Sequence, residues 1–390
     1  MDEARGASCL PTYMTLISYF RLIAEDQPYA SRLSWFWKPI LKVASLGYGI
    51  GLRICQLLYQ IGILKRKSFP CPVISIGNLT WGGTGKTPLV EYVSRFFLDR
   101  RNVPLVLSRG YGKDESKMLA RELPQALFGI GKDRFQSGQT VLASRRADVI
   151  ILDDGFQHWC LKRDLDIVVV NALNPFGNFS LIPRGILREP WKNLRRASLV
   201  VLTDVNLVPR KNLDDLKMKI RSLAPDVSFI EGRREPLYFY RPSSRDRFRP
   251  DRLQGTRVTS FSGIGTPRSF QILLNQLGIK TVRNFEFPDH HAYSERELVE
   301  VMKAKEASES QEIVTTEKDY FRSEEIMKKL RPLILKVRLR LTEGESLLHH
   351  FLGRFVRHEP REKSQAVASA TDDSPPAVPS SAPETGTQHG

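Results

Sequence analysis

The run Thr80-Trp81-Gly82-Gly83-Thr84-Gly85-Lys86-Thr87 limits the fold more than any other stretch of this 390-residue chain. An apolar, β-rich segment from Cys71 to Gly77 leads into it, and a helical pattern from Pro88 to Leu98 follows. A glycine-rich turn between strand and helix, ending Gly-Lys-Thr, is the pattern of a phosphate-binding loop. Gly82, Gly83 and Gly85 let successive backbone N–H groups turn inward around a phosphate. The helix N-terminus adds partial positive charge there. Lys86 then reaches the β- and γ-phosphates, and the Thr87 hydroxyl holds Mg2+. Thr80 stands where the first glycine of the pattern belongs.

Such a loop needs a carboxylate for the metal at the end of a neighbouring strand. Val149-Ile150-Ile151-Leu152-Asp153-Asp154 supplies one, a buried run delivering Asp153 and Asp154 to the carboxyl edge of a sheet. Further apolar runs at Pro104–Leu107, Ile167–Val170 and Leu199–Leu202 are continuous rather than alternating, which predicts strands covered on both faces. After an arginine- and proline-rich stretch at 232–254 comes a second set, with strands at Val258–Phe261, Ile313–Thr316 and Leu333–Val337 and a helix from Pro267 to Leu277. The expected fold is therefore α/β: a P-loop NTPase-like, mostly parallel sheet, a second and smaller α/β domain, and an N-terminal amphipathic helix. No Asn-Lys-x-Asp guanine-reading string occurs, the nearest being Thr316-Glu317-Lys318-Asp319, so ATP rather than GTP is the expected nucleotide.

Residues 38–67 show helical periodicity with a stripe of Lys38, Lys42, Ser45, Gly49, Arg53, Gln56 and Gln60. Arg53 interrupts the apolar run, Trp35-Phe36-Trp37 precede it and Lys65-Arg66-Lys67 follow it. These are the flanks of a helix lying in a membrane interface. The formal charge of +16 favours polyanionic partners, an anionic membrane or nucleic acid among them. Tyr238, Phe239, Tyr240 and Phe248 within the arginine-rich stretch would suit the nucleic-acid alternative. Asp2 and Glu3 argue against a secretory leader, and Cys9, Cys55, Cys71 and Cys160 have neither redox nor zinc spacing. The expected divisions are an N-terminal extension (1–34), a membrane-interface helix (35–67), a P-loop core domain (68–235), a linker (236–257), a second domain (258–358) and a disordered tail (359–390).

These motifs, taken with Ser75-Ile76-Gly77-Asn78-Leu79-Thr80, Ser108-Arg109-Gly110-Tyr111-Gly112, Asp153-Asp154-Gly155-Phe156-Gln157-His158 and Phe287-Pro288-Asp289-His290-His291, resemble the tetraacyldisaccharide 4'-kinase family of lipid A synthesis. Gly131-Lys132-Asp133-Arg134, the Pro183–Pro190 segment and Thr315-Thr316-Glu317-Lys318-Asp319 match as well. The resemblance implies transfer of the γ-phosphate of ATP to the 4'-hydroxyl of an acylated glucosamine disaccharide 1-phosphate at the cytoplasmic face of the bacterial inner membrane. It implies a nucleotide cleft between two domains joined by two strands, with no nucleic-acid partner. By position it makes Asp114 the base for the hydroxyl, His290 (or else His291) its assistant and Glu115 a further metal-side acid. Arg109, Arg134, Arg184 and Arg188 are candidate phosphate clamps by their guanidinium geometry, Arg109 and Arg188 first among them. Lys113 and Ser116 depart from the family's glycine and proline around Asp114.

Overall fold

In a computed structural model, residues 34–357 are described apart from 111, 112, 243 and 245, together with residue 24. The expected tail and nearly all of the N-terminal extension thus lie outside the described residues. The described strands are β1 (Val73–Gly77), β2 (Pro104–Ser108), β3 (Leu127–Ile130), β4 (Val149–Asp153), β5 (Leu165–Asn171), β6 (Leu199–Thr203), β7 (Ser228–Tyr240), β8 (Arg247–Phe248), β9 (Arg257–Ser262), β10 (Lys280–Glu286), β11 (Glu312–Thr316) and β12 (Leu333–Glu343). The helices that matter here are α1 (Ser34–Gln60), α2 (Lys86–Leu98), α3 (Lys113–Glu122), α4 (Arg134–Leu142), α5 (Arg210–Arg221), α6 (Pro267–Gln276), α7 (Glu295–Ala307) and α8 (Glu317–Arg322).

The strands form one sheet in the order β10-β9-β11-β12-β7-β6-β5-β1-β4-β2-β3. Neighbours are parallel from β3 across to β7 and again from β12 to β10, as continuous apolar runs require. Every residue of β1, β2, β4 and β6 is buried. Leu89, Val90, Val93, Phe96 and Phe97 recur at helical spacing and seat α2 on the sheet. The two halves meet at an antiparallel ribbon, β7 against β12, with Leu335 opposite Phe239 and Leu339 opposite Arg234. The stretch expected as a linker begins as the end of this ribbon, with the short β8 beside it. Phe239 is fully buried there and so offers no face for base stacking, and Tyr240 donates its hydroxyl to Glu317 at 2.9 Å.

Helix α1 inverts the usual amphipathic order. The side turned to the protein carries Leu41 but is otherwise largely small or polar: Ser45 Oγ donates to Leu181 O (2.7 Å), Arg184 N donates to Ser45 Oγ (3.0 Å) and Tyr48 Oη donates to Arg188 O (2.9 Å). Gly49 lets Leu181 approach so closely that a Cβ would meet its Cδ1 at 2.9 Å. The outward side carries Phe36, Ile40, Val43, Leu46, Ile50, Ile54 and Leu57, with Val43 70% and Ile50 58% exposed. Residues Phe36–Gln60 are long and apolar enough to cross a membrane by length and composition.

Candidate active site

The P-loop begins where β1 ends. Thr80 bridges Leu187 as in an antiparallel pair, and Trp81 N donates to Ile186 O at 2.7 Å. Extended backbone at this position requires no glycine, which is why threonine serves. Gly82 and Gly85 do take left-handed φ angles of 111° and 90°, a conformation that favours residues without a Cβ. Gly85 is the N-cap of α2 and no side chain caps that helix. Its first amides therefore stay available to an anion. Thr84 Oγ1 and Arg134 Nε are buried without a partner in the protein, and both residues line the same cleft. Orphaned buried donors of this kind are what an oxygen-rich ligand satisfies.

The cleft measures about 1130 Å3 and lies between the halves. Thr80 to Thr87, Arg109, Glu115, Arg134, Asp153, Asp154 and Arg188 line it from the P-loop half. Ile264, Gly265, Asp289, His290, Glu317 and Lys318 line it from the other. Of the residues expected from sequence, Thr80 to Thr87, Arg109, Glu115, Arg134, Asp153, Asp154, Arg188 and His290 reach this one space, while Arg184 and His291 do not line it. Asp114 lies in the first turn of α3, and its side chain is outside the described residues. The two histidines separate cleanly. His290 sits at φ 61° and faces the cleft, its amide bonded to Asp289 Oδ1 at 3.1 Å. His291 stacks on Phe287 and pairs with Glu297 at 2.9 Å, a packing role.

Beside the P-loop, Lys86 Nζ donates to Asn78 Oδ1 at 3.1 Å and lies 3.6 Å from Asp154. Arg188 grips Asp154 with both terminal nitrogens, at 2.8 and 2.6 Å, and also reaches Asn78 Oδ1 at 2.8 Å. Such a fork fixes a carboxylate in plane and position. Burial works against the charged form of Asp154, but Lys86 and Arg188 outweigh it and hold this acid far below the usual carboxylate range. Asp153 has the opposite fate. Burial, then Glu115 and Asp154 nearby, raise it to about 7. Arg134 supports it from behind, donating to Asp153 O at 3.0 Å from the helix whose N-cap is Asp133. Among the described residues no three acids close into a metal cluster by themselves, but Mg2+ takes few protein ligands because phosphates complete its shell. Thr87, Asp153, Asp154 and Glu115 are the donors present, with Asp154 already engaged by Arg188 and Glu115 Oε1 by Lys318.

Sequence reasoning gave no role to Asn78, Lys318 or Gly265. Asn78 is fully buried, accepting from Lys86 and Arg188 while its amide donates to Thr80 O at 2.7 Å. Gly265 touches the P-loop itself: a Cβ on it would lie 1.7 Å from Gly83 N. Thr266 Oγ1 donates to Gly83 O at 3.2 Å, so the second half closes directly over the phosphate loop. His158, in the Asp-Asp-Gly-Phe-Gln-His string, is drawn down to about 4 by burial and by Arg134 and Arg163, hence neutral, and contacts Cys160.

Comparison with known proteins agrees with this geometry. The family model described as tetraacyldisaccharide-1-P 4'-kinase matches residues 37–356. A probable tetraacyldisaccharide 4'-kinase, mitochondrial, of Arabidopsis thaliana is 37% identical over 74% of this chain and 82% of its own length. The tetraacyldisaccharide 4'-kinase of Chlorobium limicola is 33% identical over 82% of this chain and 98% of its own. A crystal structure of LpxK from Aquifex aeolicus in complex with ATP superposes with a TM-score of 0.62 at 29% identity, covering 82% of this chain and all of that one.

Proposed function

The chain belongs to the tetraacyldisaccharide-1-P 4'-kinase family, and from that premise we propose that it transfers the γ-phosphate of ATP to the 4'-hydroxyl of a membrane-borne acylated disaccharide 1-phosphate. One observation carries the reading. Lys86 after the P-loop, the acids after β4, and Asp289-His290 of the other half line a single cleft beside an uncapped helix N-terminus.

The P-loop amides and Lys86 hold the β- and γ-phosphates. The 4'-oxygen attacks the γ-phosphorus, the bond to the ADP oxygen breaks, and the hydroxyl proton passes to Asp114 with His290 beside it. Phosphoryl transfer asks the protein chiefly to position and neutralise. Arg188 and Asn78 do so here by fixing Lys86 and Asp154 relative to each other. Mg2+, when bound, would neutralise phosphate charge, and Thr87, Asp153 and Glu115 are the residues that would hold it. Exclusion of water falls to the Gly263-Ile264-Gly265-Thr266 turn against the P-loop.

The outward apolar face of α1 supports a place on a membrane surface, at the cytoplasmic side where ATP is available, and the net charge of +16 suits anionic lipid. The helix docks on the 181–188 segment, which pairs in turn with the P-loop, so the lipid-facing element and the nucleotide site share one support. The test is transfer of labelled phosphate from ATP to detergent-dispersed acyl disaccharide 1-phosphate, against other lipid and sugar acceptors. Transfer to the acyl disaccharide alone supports the reading; transfer only to another acceptor overturns it.

A further inference from the structure

We propose that Lys318 is a positioning residue for phosphoryl transfer: reaching from the second half, it fixes Glu115 and Asp289 and so assembles the acid cluster only when the cleft is closed. This rests on the function proposed above and goes beyond it.

The geometry is specific to this lysine. Lys318 Nζ lies 2.7 Å from Glu115 Oε1, on α3 of the P-loop half, and 3.6 Å from Asp289 Oδ1, beside His290. The three side chains are mostly enclosed, at 19%, 25% and 11% exposure. Its neighbours in sequence are committed elsewhere and hold its backbone still. Thr316 caps α8 by accepting from Asp319 N. Asp319, fully buried, accepts from Gly263 N at 3.0 Å and from Tyr293 Oη at 2.9 Å. Glu317 accepts from Tyr240 at 2.9 Å and from Lys336 at 2.8 Å. With the residues on both sides locked into the second half, Lys318 crosses to an acid of the first.

The same first-half helix is held at its other end by Lys336 Nζ on Glu122 Oε1 (2.9 Å), and on its outer side by Arg121 beside Glu324 (3.7 Å) and over the Phe321 ring (4.9 Å). Helix α3 carries Asp114 and Glu115, so it is docked to the second half across its length. Lys318, Lys336 and Phe321 all line the cleft, and of these it is Lys318 that pairs with Glu115, next to Asp114. Without that charge, Glu115 has no fixed rotamer and an enclosed carboxylate is left without its partner. A loosened acid in a site that works by orientation lowers turnover more than it lowers ATP affinity.

The experiment uses the full chain in detergent with ATP and acyl disaccharide 1-phosphate. K318M should lower kcat by about 10–100-fold while the Kd for ATP moves less than about three-fold, because a misplacement near 1 Å costs on that order. K318R, which keeps the charge, should recover part of the loss. R121A, which loosens the same helix outside the cleft, should stay within about two-fold of wild type, as exposed pairs contribute little. Lys318→Gln replaces the methionine variant if thermal unfolding shows that it does not fold, with the same outcomes. Undiminished kcat in K318M, equal losses in K318M and R121A, or no recovery in K318R overturns the assignment. No transfer by wild type overturns the proposed function itself, and the assignment with it; transfer by wild type with an undiminished K318M overturns the assignment alone.

Discussion

Replacing Gly265 by alanine is a small change at the tightest contact between the halves. An added Cβ lies 1.7 Å from Gly83 N, 2.6 Å from Gly83 Cα and 2.7 Å from Gly82 C. All three are backbone atoms, so no rotamer change relieves the clash. Ordinary contact begins near 3.4 Å, so the second half must retreat by roughly 2 Å or the P-loop must deform. Overpacking of this kind costs about 1–3 kcal/mol. Opening the cleft avoids the cost but withdraws Ile264, His290 and Lys318 from the phosphates. At about 1.4 kcal/mol per factor of ten, kcat/KM for ATP should fall by roughly 5–150-fold. Gly265 has no left-handed φ, so the effect is steric and not one of backbone strain. Thermal unfolding should drop by no more than roughly 4 °C, since the protein escapes the clash by opening. Gly353→Ala, where a Cβ meets nothing within 4 Å, serves as the control. Steady-state kinetics with varied ATP measures the effect. A kcat/KM within a factor of two of wild type would refute the idea that catalysis requires this contact.

The remaining predictions concern charge and membrane. Asp153 is raised from the ordinary 3.8 to about 7, so the native state binds its proton more tightly than the unfolded chain does. Its contribution therefore makes the metal-free protein lose stability as pH rises from about 4 to 7, by up to roughly 4 kcal/mol at 1.36 per unit. In urea titrations with chelator, D153N should exceed wild type at pH 8 and lose that advantage below pH 4; a constant difference across that range would contradict the crowded-acid picture. V43D and I50D, on the outward face of α1, should each lower sedimentation with anionic vesicles by at least about ten-fold, as charge at the bilayer costs about 2.5–3.5 kcal/mol. Their unfolding temperatures should match wild type because neither side chain packs on the protein; unaltered vesicle binding would count against this face.

Much of the fold was readable because β1, β2, β4 and β6 are buried on both faces and so are written as unbroken apolar runs. The P-loop was readable because its turn demands glycine at 82 and 85. Asp153 and Asp154 follow an apolar run, which marks the edge of a parallel sheet, yet nothing local separates their roles. Arg188, a distant residue, grips one and leaves the other raised. The β7–β12 ribbon was hidden because β7 is half-buried over much of its length and both strands carry charged residues along the joint. The Gly83–Gly265 contact and the Lys318–Glu115 pair are long-range and leave no local periodicity. The one usable signal was Thr-x-x-Asp at 316–319, a helix-capping pattern that frees the lysine inside it. For α1 the pattern gave the stripe, while its direction, polar side inward, came from Ser45 and Tyr48 meeting backbone groups of the 181–188 segment.

The central claim is that the cleft moves phosphate from ATP to an acylated disaccharide, and transfer of labelled γ-phosphate in detergent tests it most directly, with wild type and K86A run together. The account predicts label on the 4'-position of the acyl disaccharide with wild type, and a loss of at least about a hundred-fold with K86A, whose ammonium is made for the β- and γ-phosphates. Equal transfer by both, or label on no acyl disaccharide at all, would contradict it.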